Sequence, residues 1–384
     1  MAGRGRRPGR ARATAATPAP DRGLPVSTVP KGTGTLQPSV GARYAGMLGV
    51  GGYRPERVVT NEEVCTWIDS SDAWIRERTG IISRRWAGEH ETIVDMAAQA
   101  AAPALQMAGI TADQLSAVIV ATVTHTMQTP AAAPMLATRL GVKDAAAFDV
   151  SAACAGYCHG ISLASDMVRG GSAEYVLVVG VEKLSDITDK RDRGSAFIFA
   201  DGAGAAVIGP TDTPGIGPTV WGSDGEKWEA ISQRVPWDRI VALQLEEATT
   251  GKPADWAAAG AIDATEASTL KMAGQTVFRW AVWSMAPVAQ RAIEAAGITA
   301  ADLDAFIPHQ ANMRITDAMI KQLKLPADIP VARDIAETGN TSAASIPLAT
   351  ERMLREQEVP RGGLALQIGF GAGLAYAAQV VRLP

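Results

Sequence analysis

The sequence predicts an α/β protein built from two similar halves, and three observations lead there. Short apolar, strand-like runs such as Leu115 to Val123 alternate with alanine-rich stretches of helical period such as residues 93–108. The chain has 384 residues, 47% of them hydrophobic, and 38 glycines, which suits helices packed closely on a sheet around a large core. Short segments also recur in order. Ala108-Gly109-Ile110-Thr111-Ala112 matches Ala296-Gly297-Ile298-Thr299-Ala300, each ahead of a strand. Ser151-Ala152-Ala153-Cys154 has an echo in Ser342-Ala343-Ala344-Ser345, and Gly202-Ala203-Gly204 in Gly371-Ala372-Gly373.

Taken in chain order, residues 1–40 form an Arg/Ala/Pro-rich stretch with no hydrophobic period, expected to be a disordered extension. An Arg-rich, acid-poor start also suits a transit peptide or a start placed too far upstream, and the lack of an apolar core excludes a secretory signal. An N-terminal half spans 41–212. It opens with a strand near Arg43 to Val50 and a helix start capped by Asn61. A helix over Ser70 to Gly80 follows, closed by its glycine. Then come the helix 93–108, the strand Leu115 to Val123, a helix over Met135 to Leu140 and a strand over Tyr175 to Val181. A strand, glycine turn and strand run from Phe197 to Ile208. Residues 213–270 read as an irregular connecting or cap segment rich in tryptophan (Trp221, Trp228, Trp237, Trp256). The C-terminal half is 271–384.

Charge and cysteine content exclude several functions. The chain carries −4 overall, and residues 1–40 carry +6, so the body carries −10. Nucleic acid is then not an expected partner, and an anionic partner needs a local basic patch. No apolar run is long enough to span a membrane. The cysteines Cys65, Cys154 and Cys158 form no C-x-x-C pair and show no ligand spacing with the four histidines, so no metal site is expected. Cys154 and Cys158 lie one helical turn apart and could form a redox pair, but Cys158 reads better as a small packing residue. A sparse, odd cysteine set fits a reducing cytoplasm.

Cys154 ends a strand-like run, Phe148-Asp149-Val150, and begins a helical pattern through Met167 and Val168 that stops at Gly170-Gly171. Unpaired N–H groups and the helix dipole there are expected to favour the thiolate, and Ala152, Ala153, Ala155 and Gly156 leave room for a substrate. A lone cysteine among alanines can equally be a small buried hydrophobe. His309, in Pro308-His309-Gln310-Ala311-Asn312 at a strand end, can be a loop histidine. Asn340, in Gly339-Asn340-Thr341-Ser342, can be a cap. The glycine-rich Gly369-Phe370-Gly371-Ala372-Gly373 can be a plain tight turn, and it lacks the Lys-Ser/Thr of a P-loop. Together, Cys, His, Asn and a backbone donor are what acyl transfer through a thioester requires.

These residues resemble β-ketoacyl-acyl carrier protein synthase III, a condensing enzyme on the thiolase fold. The segments carrying the resemblance are Ser151 to Gly156, Asp192-Arg193-Gly194, Asp201 to Ala205, Pro308 to Ile315 and Gly339 to Ser345. The resemblance covers almost the whole body and implies an αβαβα layered core. It implies Cys154, His309 and Asn340 as catalytic residues, with backbone N–H groups of Cys154 and Ala372 as the oxyanion hole. Trp74, Arg78, Arg193, Asn312 and Arg314 would bind CoA and its pantetheine arm, with Trp74 and Arg193 sandwiching the adenine. Arg279, Arg314 and Lys321 would dock an acidic carrier protein. Phe370 would cover the site, and Thr129, in the loop Thr124 to Pro130 that reaches a partner subunit, would gate the acyl pocket.

The implied reaction joins an acyl-CoA to malonyl-acyl carrier protein in a homodimer, with no cofactor beyond the substrates' own thioesters. The nearest alternatives are a polyketide starter enzyme or a non-decarboxylating acyltransferase. A scaffold that binds acyl-CoA without chemistry is a third.

Overall fold

The computed structural model describes residues 35–384, so the expectation for 1–40 lies almost wholly outside the described residues; residues 39–384 form one unit. Two sheets carry it. The larger has five strands in the order Tyr44–Tyr53, Asp201–Thr211, Tyr175–Lys183, Leu115–Ala121, Ala146–Val150. The last three run parallel, and the first two are antiparallel to their neighbours. The smaller has four strands, Ala305–Pro308, Leu364–Phe370, Tyr376–Arg382 and Val220–Gly222, with the first pair parallel.

The central strands read as continuous apolar runs because both their faces are covered. Tyr175–Lys183 is buried over all its interior positions. A core of Ile119, Tyr157, Ile161, Val178, Ile307 and Ile346, among others, joins residues from both sheets. Two helices lie between the sheets, Gly156–Gly170 and Ser345–Arg355, each preceded by a short 3-10 turn, 153–155 and 342–344.

The duplication is explicit in the backbone. Helix starts Gly156 and Ser345, and strand starts Tyr175 and Leu364, are each 189 residues apart. So are Ala153 and Ser342, which share a left-handed conformation with φ of 45° and 49°. This register corrects the letter match, which had set Ser151 against Ser342. Backbone conformation pairs Cys154 with Ala343, because equivalence is fixed by the turn that each helix needs and not by small residues that recur by composition. Both halves also carry a capping box, Thr111 with Gln114 and Thr299 with Asp302.

Three other local expectations change. Helix Asn61–Val64 is capped by Thr60, whose side chain accepts from Glu63 N–H. Asn61 is buried and bonds Asp72 and Ile81, with Arg84 donating to it. The Phe197 to Ala200 stretch is turn, not strand, and Gly202-Ala203-Gly204 lies inside the strand Asp201–Thr211. Those glycines serve close approach. A Cβ on Gly204 would lie 2.7 Å from Pro347 Cβ and 2.8 Å from the Leu348 nitrogen. Gly204→Ala should therefore lower stability by roughly 1–3 kcal/mol, read as a shifted denaturation midpoint.

The 213–270 segment is also more regular than expected. Its pattern of Ile240 and Leu243 on one face gives the helix Trp237–Thr250, buried at those two residues against Val235 and Trp256. Trp221, Trp228 and Trp237 are exposed.

Candidate active site

The two 3-10 turns meet between the sheets, and Cys154 sits in the first. Glycine at Gly371 is obligatory there, since a Cβ would fall 2.8 Å from both Cys154 Cβ and Sγ. Gly369 is equally constrained, with Cys154 O at 2.8 Å. The glycine-rich segment thus exists first to let the cysteine turn pack against the second sheet. Gly371 N–H is taken by Ala375 O at 3.0 Å, and the following residue, Ala372, lines the cavity beside Cys154.

The thiolate expectation is corrected. Burial pushes the Cys154 thiol up to about 12, and the Glu182 carboxylate adds to the rise. Hydrogen bonding with the Ser342 side chain and with the Cys154 N–H works in the other direction but does not outweigh burial. The sulfur is therefore a protonated thiol before substrate arrives. Cys158 is fully buried and free, also pushed up to about 12 by burial, as a packing residue should be.

His309 follows the strand Ala305–Pro308 and is 2% exposed. Its Nδ1 lies 2.7 Å from Ser345 Oγ, and Ser345 Oγ accepts from Gln310 N–H at 3.4 Å. An imidazole whose Nδ1 accepts the Ser345 hydroxyl proton carries its own proton on Nε2. Burial pushes the imidazole down to about 3, so it is neutral at any working pH. Phe370 packs edge-on against it at 5.3 Å.

Asn340 is tied by its backbone to the 197–200 turn, with N–H donating to Ile198 O at 3.0 Å and O accepting from Ala200 N–H at 2.9 Å. Its Oδ1 accepts from Ser342 N–H at 2.9 Å, which leaves the amide NH2 as the group free to act as donor. The capping and the chemical readings of Asn340 are thus compatible. Gly339 before it has φ of 69°, and a Cβ there would meet Arg84 Cβ at 2.8 Å.

One cavity of about 930 Å3 brings Cys154, His309 and Asn340 together with Trp74, Arg78, Arg279, Asn312, Arg314, Phe370 and Ala372. Its walls are mostly apolar, and Ile231 and Leu270 from the Trp-rich segment, with Met272 just beyond it, close one side. That contribution was not legible, because it depends on a two-stranded ladder, Ile231–Gln233 with Leu270–Met272, between distant residues. Asn312 caps the helix Met313–Leu323 through Arg314 N–H and donates to Arg78 O at 3.0 Å, so its amide is already engaged.

Three expected site residues stand elsewhere. Trp74 meets Phe197 edge-on at 5.4 Å and Arg78 at 5.9 Å, not Arg193. Asp192 bonds Gly194 N–H and Ser195 Oγ, a turn that leaves Arg193 exposed and off the cavity wall. Lys321 is exposed at the end of its helix, and Thr129 is exposed in the loop before Pro130; neither lines the cavity. Sequence reasoning missed Ser345, Ser342 and Glu182. An acid closing an apolar strand was the available signal for Glu182.

Two α/β halves that present a cysteine, a neutral histidine and an asparagine amide to one apolar cavity define a thiolase-like condensing enzyme. Residues 148–225 match the family model described as 3-oxoacyl-[acyl-carrier-protein] synthase III, and residues 293–383 match that of its C terminal. The β-ketoacyl-[acyl-carrier-protein] synthase III 1 of Streptomyces coelicolor is 57% identical over 349 residues, covering 91% of this chain and 99% of the relative. The mycobacterial β-ketoacyl-[acyl-carrier-protein] synthase III of Mycobacterium tuberculosis is 50% identical over 344 residues, 90% of this chain and 97% of the relative.

Among solved structures, the priming β-ketosynthase of the R1128 polyketide pathway superposes with a TM-score of 0.83 at 46% identity, covering 91% and 99% of the two chains. The 3-oxoacyl-(acyl carrier protein) synthase III of Pseudomonas aeruginosa gives 0.77 at 36%, covering 89% and 99%. The chain belongs to the β-ketoacyl-[acyl-carrier-protein] synthase III family and is an acyltransferase of the condensing type.

Proposed function

We propose that the chain condenses an acyl-CoA starter with malonyl-acyl carrier protein, giving 3-oxoacyl-acyl carrier protein, CoA and carbon dioxide, at the start of fatty acid synthesis. The meeting of Cys154, His309 and Asn340 in one cavity carries this reading. Cys154 sulfur attacks the acyl-CoA carbonyl, the bond to the CoA sulfur breaks, and the acyl group stays on Cys154. The tetrahedral oxyanion is met by the backbone N–H groups of Cys154 and Ala372. Malonyl-carrier protein then loses carbon dioxide. The electron pair moves onto the thioester as an enolate, whose oxygen receives hydrogen bonds from His309 Nε2–H and Asn340 Nδ2. Such a donor is worth ~3 kcal/mol in the transition state. The enolate carbon attacks the acyl carbonyl and Cys154 leaves as thiolate.

No cofactor enters these steps. Trp74, Arg78 and Arg314 at the cavity wall suit a nucleotide and its phosphates. Arg279 and Arg314 are exposed at that wall in a body of net −10, which suits an acidic carrier protein. Residues 126–130 of the loop Thr124 to Pro130 are exposed, which suits contact with a second copy in a homodimer. The likeness to a priming ketosynthase favours, as a second reading, starter condensation in a polyketide pathway.

Incubation with acetyl-, isobutyryl- and hexanoyl-CoA, read as the mass of the Cys154 peptide, tests the reading. Acyl-Cys154 should form, and with Thr129 in place of a bulky gate the branched and longer chains should load at least as fast as acetyl. Strict acetyl preference would refute the roomy pocket, and no acyl-Cys154 at all would leave only a binding scaffold. Because burial holds the His309 imidazole near 3, below the working range, it donates from Nε2 unchanged between pH 5.5 and 8. Carbon dioxide release by preformed acyl-enzyme should show no inflection near 6.5 that His309→Gln removes.

A further inference from the structure

Glu182 is the last residue but one of the strand Tyr175–Lys183 and is fully buried, yet the condensation steps above make no use of it. Its Oε2 accepts from Thr124 Oγ1 at 2.7 Å, Val123 N–H at 3.1 Å and Thr122 Oγ1 at 3.3 Å. Its Oε1 accepts from Ser342 Oγ at 3.1 Å. Ser342 reaches this point because Gly180 lets the 342–344 turn settle directly on the strand, where a Cβ would lie 2.1 Å from Ala343 O. The same Ser342 side chain is in hydrogen-bond reach of the Cys154 sulfur. A thiol, a hydroxyl and a carboxylate thus stand in line.

We propose that Ser342 and Glu182 form a proton relay for the Cys154 thiol. The inference rests on Cys154 being the acyl-carrying nucleophile. As Sγ attacks the acyl-CoA carbonyl, its proton passes to Ser342 Oγ and the Ser342 hydroxyl proton passes to Glu182 Oε1. The CoA sulfur leaves with the electron pair of the broken C–S bond and takes a proton from solvent. In the second half-reaction the enolate displaces Cys154 as thiolate, and the proton returns from Glu182 through Ser342. The net demand is the one proton that decarboxylative condensation consumes.

The physical advantage is charge conservation. Losing the thiol proton to water would set a thiolate beside the Glu182 carboxylate, two anions in a buried site. The relay never sets two negative charges there. Burial pushes the Glu182 carboxyl up to about 7, despite four hydrogen-bond donors, which suits a group that must both take and return a proton. Other ionisable groups nearby are engaged elsewhere. Lys183 donates to Gly88 O and faces Asp186. Asp201, opposite Lys183, binds Ser185 and Ala87 N–H, and His309 binds Ser345.

The test is alkylation of the full chain by iodoacetamide, read as the mass of the Cys154 peptide against pH. In the wild type the thiolate made through the relay does not depend on pH once Glu182 is ionised, so the rate should rise to pH 7 and level between 7 and 8. In Glu182→Gln no carboxylate is left to hold the proton, so the rate should climb about tenfold over that same unit. Ser342→Ala should also be at least tenfold slower at pH 7.

A wild type that itself climbs tenfold, a Glu182→Gln variant that keeps the plateau, or a Ser342→Ala variant as fast as the wild type at pH 7 overturns the relay. If Glu182→Gln fails to fold, Ser342→Ala, which leaves the other three donors to Glu182 in place, decides by its rate at pH 7. Alkylation needs no substrate, so a plateau without acyl uptake from acyl-CoA refutes the proposed function and not the relay. Acyl uptake without a plateau does the reverse.

Discussion

Cys154→Ser should lower acyl transfer from acyl-CoA by ~1000-fold or more while the fold is kept. The exchange of sulfur for oxygen is nearly isosteric, and the turn around residue 154 depends on Gly369, Gly371 and the left-handed Ala153, none of which changes. What changes is nucleophilicity. Even the thiol is pushed up to about 12 by burial, and a hydroxyl starts several units higher. The check is single-turnover formation of the acyl-enzyme by mass, with thermal unfolding as the control for folding. A serine variant that acylates within tenfold of the wild type would show that residue 154 is not the nucleophile.

Asn340→Ala should still form acyl-Cys154 but condense with malonyl-carrier protein about 100- to 1000-fold more slowly. The Asn340 amide NH2 is a donor aimed by the fold. Oδ1 is fixed on Ser342 N–H at 2.9 Å, and the backbone is clamped to Ile198 and Ala200. Asn340→Asp keeps the acceptor for Ser342 N–H but replaces the donor with an anion, so it should condense no better than the alanine variant. The measurement pairs acyl-enzyme mass with carbon dioxide release from preformed acyl-enzyme. An alanine variant that fails to acylate, yet condenses normally once acylated by other means, would exchange the roles assigned to the two half-reactions.

Much of the architecture was legible because it rests on local rules. Apolar runs gave the central strands, a glycine end gave the helix over Asp72–Thr79, and an alanine-rich helical period gave that over Ile93–Ala108. The recurring segments gave the duplication, although letters alone misplaced its register by two residues around Ser342. The misread glycines share one cause. Gly202, Gly204, Gly369 and Gly371 look like turn glycines in a sequence, but helix 345–355 and the cysteine turn need them bare for close approach. Nothing in the local sequence distinguishes the two uses.

The sequence by itself determined the reacting groups: a cysteine at a helix start, a histidine at a strand end and an asparagine before the matching helix. Their types and local settings are properties of short segments, and short segments are what a sequence displays. Only the tertiary structure decided their state. Burial between two sheets makes the Cys154 thiol reluctant to ionise and keeps His309 neutral. Ser345, 36 residues from His309, supplies the hydrogen-bond partner of its Nδ1. Glu182 and Ser342, separated by 160 positions, come within 3.1 Å of each other. Desolvation and hydrogen bonding act through space, so the pKa of a group belongs to the cavity that encloses it and not to the segment that carries it.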